Sequence, residues 1–267
     1  MLASPSPAAA VEYRPAIDGL RAVAVLAVCL FHLDRRWLPG GFVGVDIFFA
    51  ISGYLITSVI LRDCDRNRFS FGRFYQRRIA RLLAAFVAVA VATLIGAFFI
   101  YSPQDLATTG ATLAASAASL ANLKFMLQGN YFALSPDAQP FLHCWSLSVE
   151  EQFYLLFPAI FFVLYLKAKT YRIHVLTGLF VVSLLTSVAL THVRPEWAFY
   201  LLPSRACELL AGSILATLPG RGMRHAELLA AVRIVGLALI GISFWAISEG
   251  PRFPGYAAML RSERAHV

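Results

Sequence analysis

Apolar runs long enough to cross a bilayer recur along this chain, and they restrict its fold more than any other feature. Ile17 to Leu33, Phe42 to Leu61, Ile79 to Tyr101, Leu147 to Leu166, Ile173 to Thr191 and Leu228 to Ile247 each come close to the roughly 20 residues a helix needs to span the hydrocarbon core. A shorter run, Arg205 to Leu218, reads as a further inward span. With 59% apolar residues, 14% charged residues and a mean hydropathy of +0.68, the chain falls outside the soluble class. The expected fold is all-α: a multi-pass transmembrane helical bundle with seven spans, or eight if Leu106 to Leu127 also crosses.

Charge gives the bundle a direction. Between Arg62 and Arg81 stand seven arginines, opposed only by Asp63 and Asp65. Positive charge in a short loop marks the cytoplasmic side, so the N-terminus is expected there too and the first helix runs outward. The net charge of +8 is then an orientation and lipid-contact signal, and no nucleic-acid partner is expected. If Leu106 to Leu127 crossed, Lys167, Lys169 and Arg172 would fall outside, so that polar-rich run reads as an interfacial or re-entrant helix. Pro158 is expected to kink the span it occupies. Residues 1–12 read as a disordered leader without a cleavable signal, residues 13–258 as the transmembrane domain, and residues 259–267 as a charged tail. Cys29, Cys64, Cys144 and Cys207 have neither redox nor metal-ligand spacing, and no metal site is indicated. A disulfide between Cys144 and Cys207 stays open as an alternative.

Four groups of polar residues stand out against this apolar background. Arg21 and His32 are eleven residues apart, which on a helix is about 20° past three turns, so they share a stripe about 16 Å long. Intramembrane ionisable residues are costly and are functional candidates by default, although an imidazole at a helix end can equally be an interfacial group satisfied by a carbonyl. Glu150 and Glu151 sit in the run Ser146-Leu147-Ser148-Val149-Glu150-Glu151. Ser148 and Glu151 have the spacing of a capping box at a span start, yet adjacent acids point about 100° apart, so one carboxylate must look elsewhere. At the level of His32 it could orient an imidazole acting as general base. Arg78 and Arg81, with Arg77 beside them, lie at the first turn of the third span, where paired guanidiniums serve topology or grip phosphates. Arg205 and Glu208 form an i, i+3 pair that could simply secure a helix start.

These residues fall in ordered motifs. Ile17-Asp18-Gly19-Leu20-Arg21-Ala22, Phe31-His32, Gly40-Gly41-Phe42-Val43-Gly44-Val45-Asp46-Ile47-Phe48-Phe49, Ser52-Gly53-Tyr54-Leu55-Ile56, Phe74-Tyr75-x-Arg77-Arg78-x-x-Arg81 and His143-x-Trp145-Ser146-Leu147-Ser148-Val149-Glu150-Glu151-Gln152-Phe153-Tyr154 together resemble the acyltransferase 3 family of bacterial membrane O-acyltransferases. The resemblance implies an inner-membrane enzyme that moves an acyl group, commonly acetyl, from cytoplasmic acyl-CoA to a hydroxyl of lipopolysaccharide or another extracytoplasmic glycan. Acyl-CoA would be a donor substrate, with no permanently bound cofactor. It further implies that Arg21 and His32 match the family's R-x10-H pair, Arg78 and Arg81 its R-x-x-R pair, and Glu150-Glu151 its acidic element, with Arg205 and Glu208 in a later R-x-x-E-L-L-x-G stretch. His32 would be the catalytic base, helped by Glu150 or Glu151; Arg21 would face the donor, and Arg77, Arg78 and Arg81 would meet coenzyme A. The similarity fades after Pro254-Gly255-Tyr256-Ala257-Ala258, where family members continue with further helices, so a C-terminally truncated domain is expected. A transporter or flippase of acyl groups or lipid-linked sugars, and an inactive truncated member, are the alternatives that the polar residues also permit.

Overall fold

The computed structural model describes residues 15–128, 139–218 and 226–246, and every regular element among them is helical. Pro15–Leu33 forms α1, which ends where Asp34 turns back to bond the Arg36 backbone N–H and guanidinium. A single 3-10 turn, Gly41–Val43, leads into α2, Gly44–Asp65. Then come α3, Phe71–Ile100; α4, Pro103–Ala117; α5, Ala121–Gln128; and α6, Cys144–Lys167. The chain continues through α7, Arg172–Val193; α8, Pro195–Tyr200; α9, Leu202–Thr217; and α10, Ala226–Ala246. The seven apolar runs fall in α1, α2, α3, α6, α7, α9 and α10. The first five of these are long and apolar enough to cross a membrane, and the chain is a membrane protein.

Several boundaries differ from the sequence expectation. The run Leu106 to Leu127 is two helices, α4 and α5, broken where Ser119 adopts a left-handed φ of 57°. At 15 residues, α4 extends about 22 Å, short of a crossing. The third span starts at Phe71, so Arg78 and Arg81 sit in its second and third turns and not its first. Because α6 starts at Cys144, Ser148 lies inside the helix: its hydroxyl donates to the Cys144 carbonyl and accepts from the Ala121 N–H, and the capping box does not form. Helix α6 runs through Pro158 as one element. Cys144 and Cys207 are both free thiols, so the disulfide alternative falls. The leader, the charged tail and Pro254 to Ala258 lie outside the described residues.

The helices share two ends. His32, the 3-10 turn, the start of α6 and α8 gather at one, here the histidine end. The loop after α2, the start of α3 and the end of α6 gather at the other, the arginine end, where Tyr165 donates to Asp65 across 2.7 Å. Between the ends, α2 and α9 run parallel in the closest helix contact of the bundle. A Cβ on Gly53 would lie 1.8 Å from the Leu209 carbonyl oxygen, and one on Gly212 would lie 1.8 Å from that of Ala50. Only glycine lets the two backbones approach so closely, the small-residue packing that holds helices together without a hydrophobic driving force. The Ser213 hydroxyl strengthens the contact by donating to the Leu209 and Gly53 carbonyls. Around it, Phe49, Trp145, Phe153, Phe157, Phe161 and Leu209 are buried in one core. The outer faces of α3 and α7 remain apolar and exposed, from Ile79 to Ile100 and from Val175 to Val193, as helices facing lipid should be.

Candidate active site

At the histidine end α1, α2 and α6 surround a cavity of about 540 Å³, lined by His32, Phe49, His143, Trp145, Glu150 and Arg205 among others. That volume suits a small ligand, and aromatic walls with a few convergent polar groups suit a specific one. His32 enters from the last turn of α1. Its Nδ1 donates to the Val28 carbonyl at 2.8 Å, which in the neutral ring leaves Nε2 with its lone pair, the form a general base needs. A carbonyl orients this ring, not a carboxylate: neither Glu150 nor Glu151 bonds to it. His143 faces the same cavity from the residue before α6. Burial pushes its pKa below the ordinary imidazole value against the opposing bond to Pro140, and repulsion from His32 pushes in the same direction as burial.

Glu150 forms the inner end of this cavity, six residues below the start of α6. Its carboxylate accepts from the Ser52 hydroxyl at 2.8 Å and from the Tyr154 hydroxyl at 3.1 Å. Arg78 stands 3.8 Å from it, with its guanidinium 3.7 Å from the centre of the Tyr154 ring. The Arg78 Nε is buried with no hydrogen-bond partner among the described residues. Arg21, held loosely by Asp18 at 3.8 Å, lies within electrostatic reach of the same carboxylate. One carboxylate therefore has the histidine-end cavity on one side and two arginines on the other. The two acids do diverge: Glu151 turns to α4–α5, where it accepts from the Ser119 hydroxyl at the break between those helices. Arg77 is tied to Asp63 at 3.1 Å, and Arg81 is exposed. Arg77, Arg78 and Arg81 of the third span thus have three different environments, and of these Arg78 alone reaches into the bundle.

The cluster around Arg205 goes beyond its sequence reading. Arg205 is 1% exposed and binds Asp46 at 2.8 Å and Glu208 at 3.2 Å, within 5.6 Å of the ring centres of Phe49, Trp145 and Phe199. It joins α9 to α2 at the cavity wall. Asp46 and Arg205 are 159 residues apart, so no local spacing connects them. The available signal was that each is an ionisable residue in an apolar span and needs a partner of opposite charge.

Comparison with known proteins identifies the family. The family model described as an acyltransferase domain matches residues 14–261. Peptidoglycan O-acetyltransferase OatA of Listeria monocytogenes is 36% identical over 212 residues, covering 77% of this chain and 34% of its own length. O-acetyltransferase OatA of Staphylococcus aureus is 33% identical over 246 residues, covering 88% of this chain and 40% of its own. The chain thus spans between a third and two fifths of the length of these relatives. No solved structure matches it. A match over nearly the whole chain places this protein in the acyltransferase 3 family.

Proposed function

We propose that this chain is the membrane part of an O-acetyltransferase that passes an acetyl group from cytoplasmic acetyl-CoA to a hydroxyl of an extracytoplasmic glycan, with its N-terminus in the cytoplasm of a bacterial inner membrane. The observation that carries the reading is the position of Glu150, between the His32 cavity and the pair Arg21 and Arg78. Donor and acceptor must meet from opposite sides, and this carboxylate lies where the two approaches join. The arginine end supplies cations for the donor phosphates: Arg81 and Arg77 at the rim, and Arg78 on the inside. Coenzyme A comes as a substrate and leaves as a product.

In the transfer step the sugar hydroxyl gives its proton to Nε2 of His32 while its oxygen attacks the thioester carbonyl. The C–S bond breaks, and coenzyme A departs as the thiol with the proton the imidazolium returns. Glu150 stabilises that imidazolium across the cavity without a direct bond in the resting state, and Glu151 serves the α4–α5 junction. The names of the relatives make a peptidoglycan hydroxyl the first acceptor to try. Membranes carrying the full-length gene product are given radiolabelled acetyl-CoA and soluble peptidoglycan strands. A base-labile ester on the glycan supports the proposal, and movement of unmodified substrate without ester formation would make the protein a carrier instead.

A further inference from the structure

We propose that His143 is a second functional imidazole of this site, a positioning residue that accepts a hydrogen bond from the acceptor glycan and presents a neighbouring hydroxyl to His32. The inference rests on the reading that the cavity takes a glycan. It starts from placement: His143 and His32 come from different helical segments, line one cavity and lie close enough to repel each other when charged. The Nδ1 of His32 is committed to the Val28 carbonyl. A neutral imidazole that donates through one nitrogen presents a lone pair at the other. The cavity therefore offers two acceptors for O–H groups side by side, between aromatic walls that include Phe49 and Trp145. A molecule with two adjacent hydroxyls on an apolar ring face has the complementary chemistry, and a sugar is that molecule.

The second ring is solvent-accessible where it lines the cavity. The carbonyl of His143 accepts from the Ser146 hydroxyl at 3.1 Å, which secures the backbone at the start of α6. Its ring therefore stands on a fixed base, with its free nitrogen available to a ligand. His32 has the matching rigidity from the Val28 bond. The division of labour follows from placement within the proposed path: His32 shares the helix stripe with Arg21 and so lies on the line from the donor, while His143 lies on the outer rim, where the acceptor enters.

The test is steady-state acetyl transfer to soluble peptidoglycan strands by the full-length gene product in membranes, comparing wild type, His143→Ala, His143→Gln and His32→Ala. A side-chain amide can accept from a hydroxyl but cannot take up a proton. His143→Ala should raise the KM for glycan about tenfold, the scale of one hydrogen bond, with kcat within about threefold. His143→Gln should recover most of that KM, and acetyl-CoA KM should stay unchanged in both. An unchanged glycan KM in His143→Ala, with His32→Ala inactive, would overturn the role of His143 alone. A collapse of kcat in both His143 variants would make His143 a proton carrier and also overturn the positioning role. Full activity of His32→Ala would instead sink the catalytic reading on which the inference rests.

Discussion

Arg205 and Arg78 both meet carboxylates inside the bundle, but on different terms. Arg205 makes contacts of 2.8 and 3.2 Å to Asp46 and Glu208 with 1% of its side chain exposed, whereas Arg78 stands 3.8 Å from Glu150 with 27% exposed. In the first cluster the Arg205 guanidinium also packs against the rings of Phe49, Trp145 and Phe199. Glu150 and Arg205 line the same cavity, but the second pair is the looser one, with Arg78 partly exposed. The tight ionic cluster ties α2 to α9 at the cavity wall. The loose one is the pair to which the proposed mechanism assigns a role in the transfer step.

This contrast is broken most directly by removing Arg205. Arg205→Ala strands Asp46 and Glu208 in an apolar wall, and the loss should be about 3–5 kcal/mol, the usual result of leaving a buried charge unpaired. Thermal unfolding of the purified protein in detergent would read it, and a variant as stable as wild type would show that the cluster is no clamp. Glu150→Gln should do the reverse. It should lower acetyl transfer at least about 100-fold while the unfolding temperature stays near wild type, and Glu151→Gln should leave transfer nearly intact. Equal losses from the two glutamates would erase the distinction between them. Gly53→Ala tests the clamp from its backbone side. A Cβ there would fall 1.8 Å from a carbonyl oxygen, so a loss of about 1–3 kcal/mol is expected, with Gly212→Ala similar.

The smallest effect concerns pH. The folded-state pKa of His143 is lowered, chiefly by burial, so its contribution to stability is present above the unfolded imidazole value of about 6.5 and fades as pH falls through the lower folded value. On acidification below that range, wild type should lose more unfolding temperature than His143→Gln. Identical acid profiles would remove the argument that this ring is held neutral.

Much of the architecture was legible because apolar length and arginine placement are local signals. Each of the seven runs became a separate helix, and the stripe joining Arg21 to His32 came from spacing alone. What the sequence did not disclose depended on contacts between distant segments or on a single backbone angle. The break at Ser119 lies in a run whose composition suits one helix. The true start of α6 hid the fact that Ser148 bonds to Cys144 and Ala121 and does not cap. Arg78 and Arg81 look equivalent as a motif, but the helix turns one toward Tyr154 and leaves the other exposed. The sequence left the partner of His32 open between a carboxylate and a backbone carbonyl, and the carbonyl of Val28, four residues back, supplies it.

The central claim is that His32 removes the proton from an acceptor hydroxyl in a cavity that Glu150 connects to the donor side. Its most direct test is incorporation of radiolabelled acetyl from acetyl-CoA into base-labile glycan ester by membranes containing His32→Ala at wild-type abundance. The account predicts incorporation below about 1% of wild type, with membrane insertion and unfolding temperature unchanged. Incorporation at the wild-type rate would contradict it.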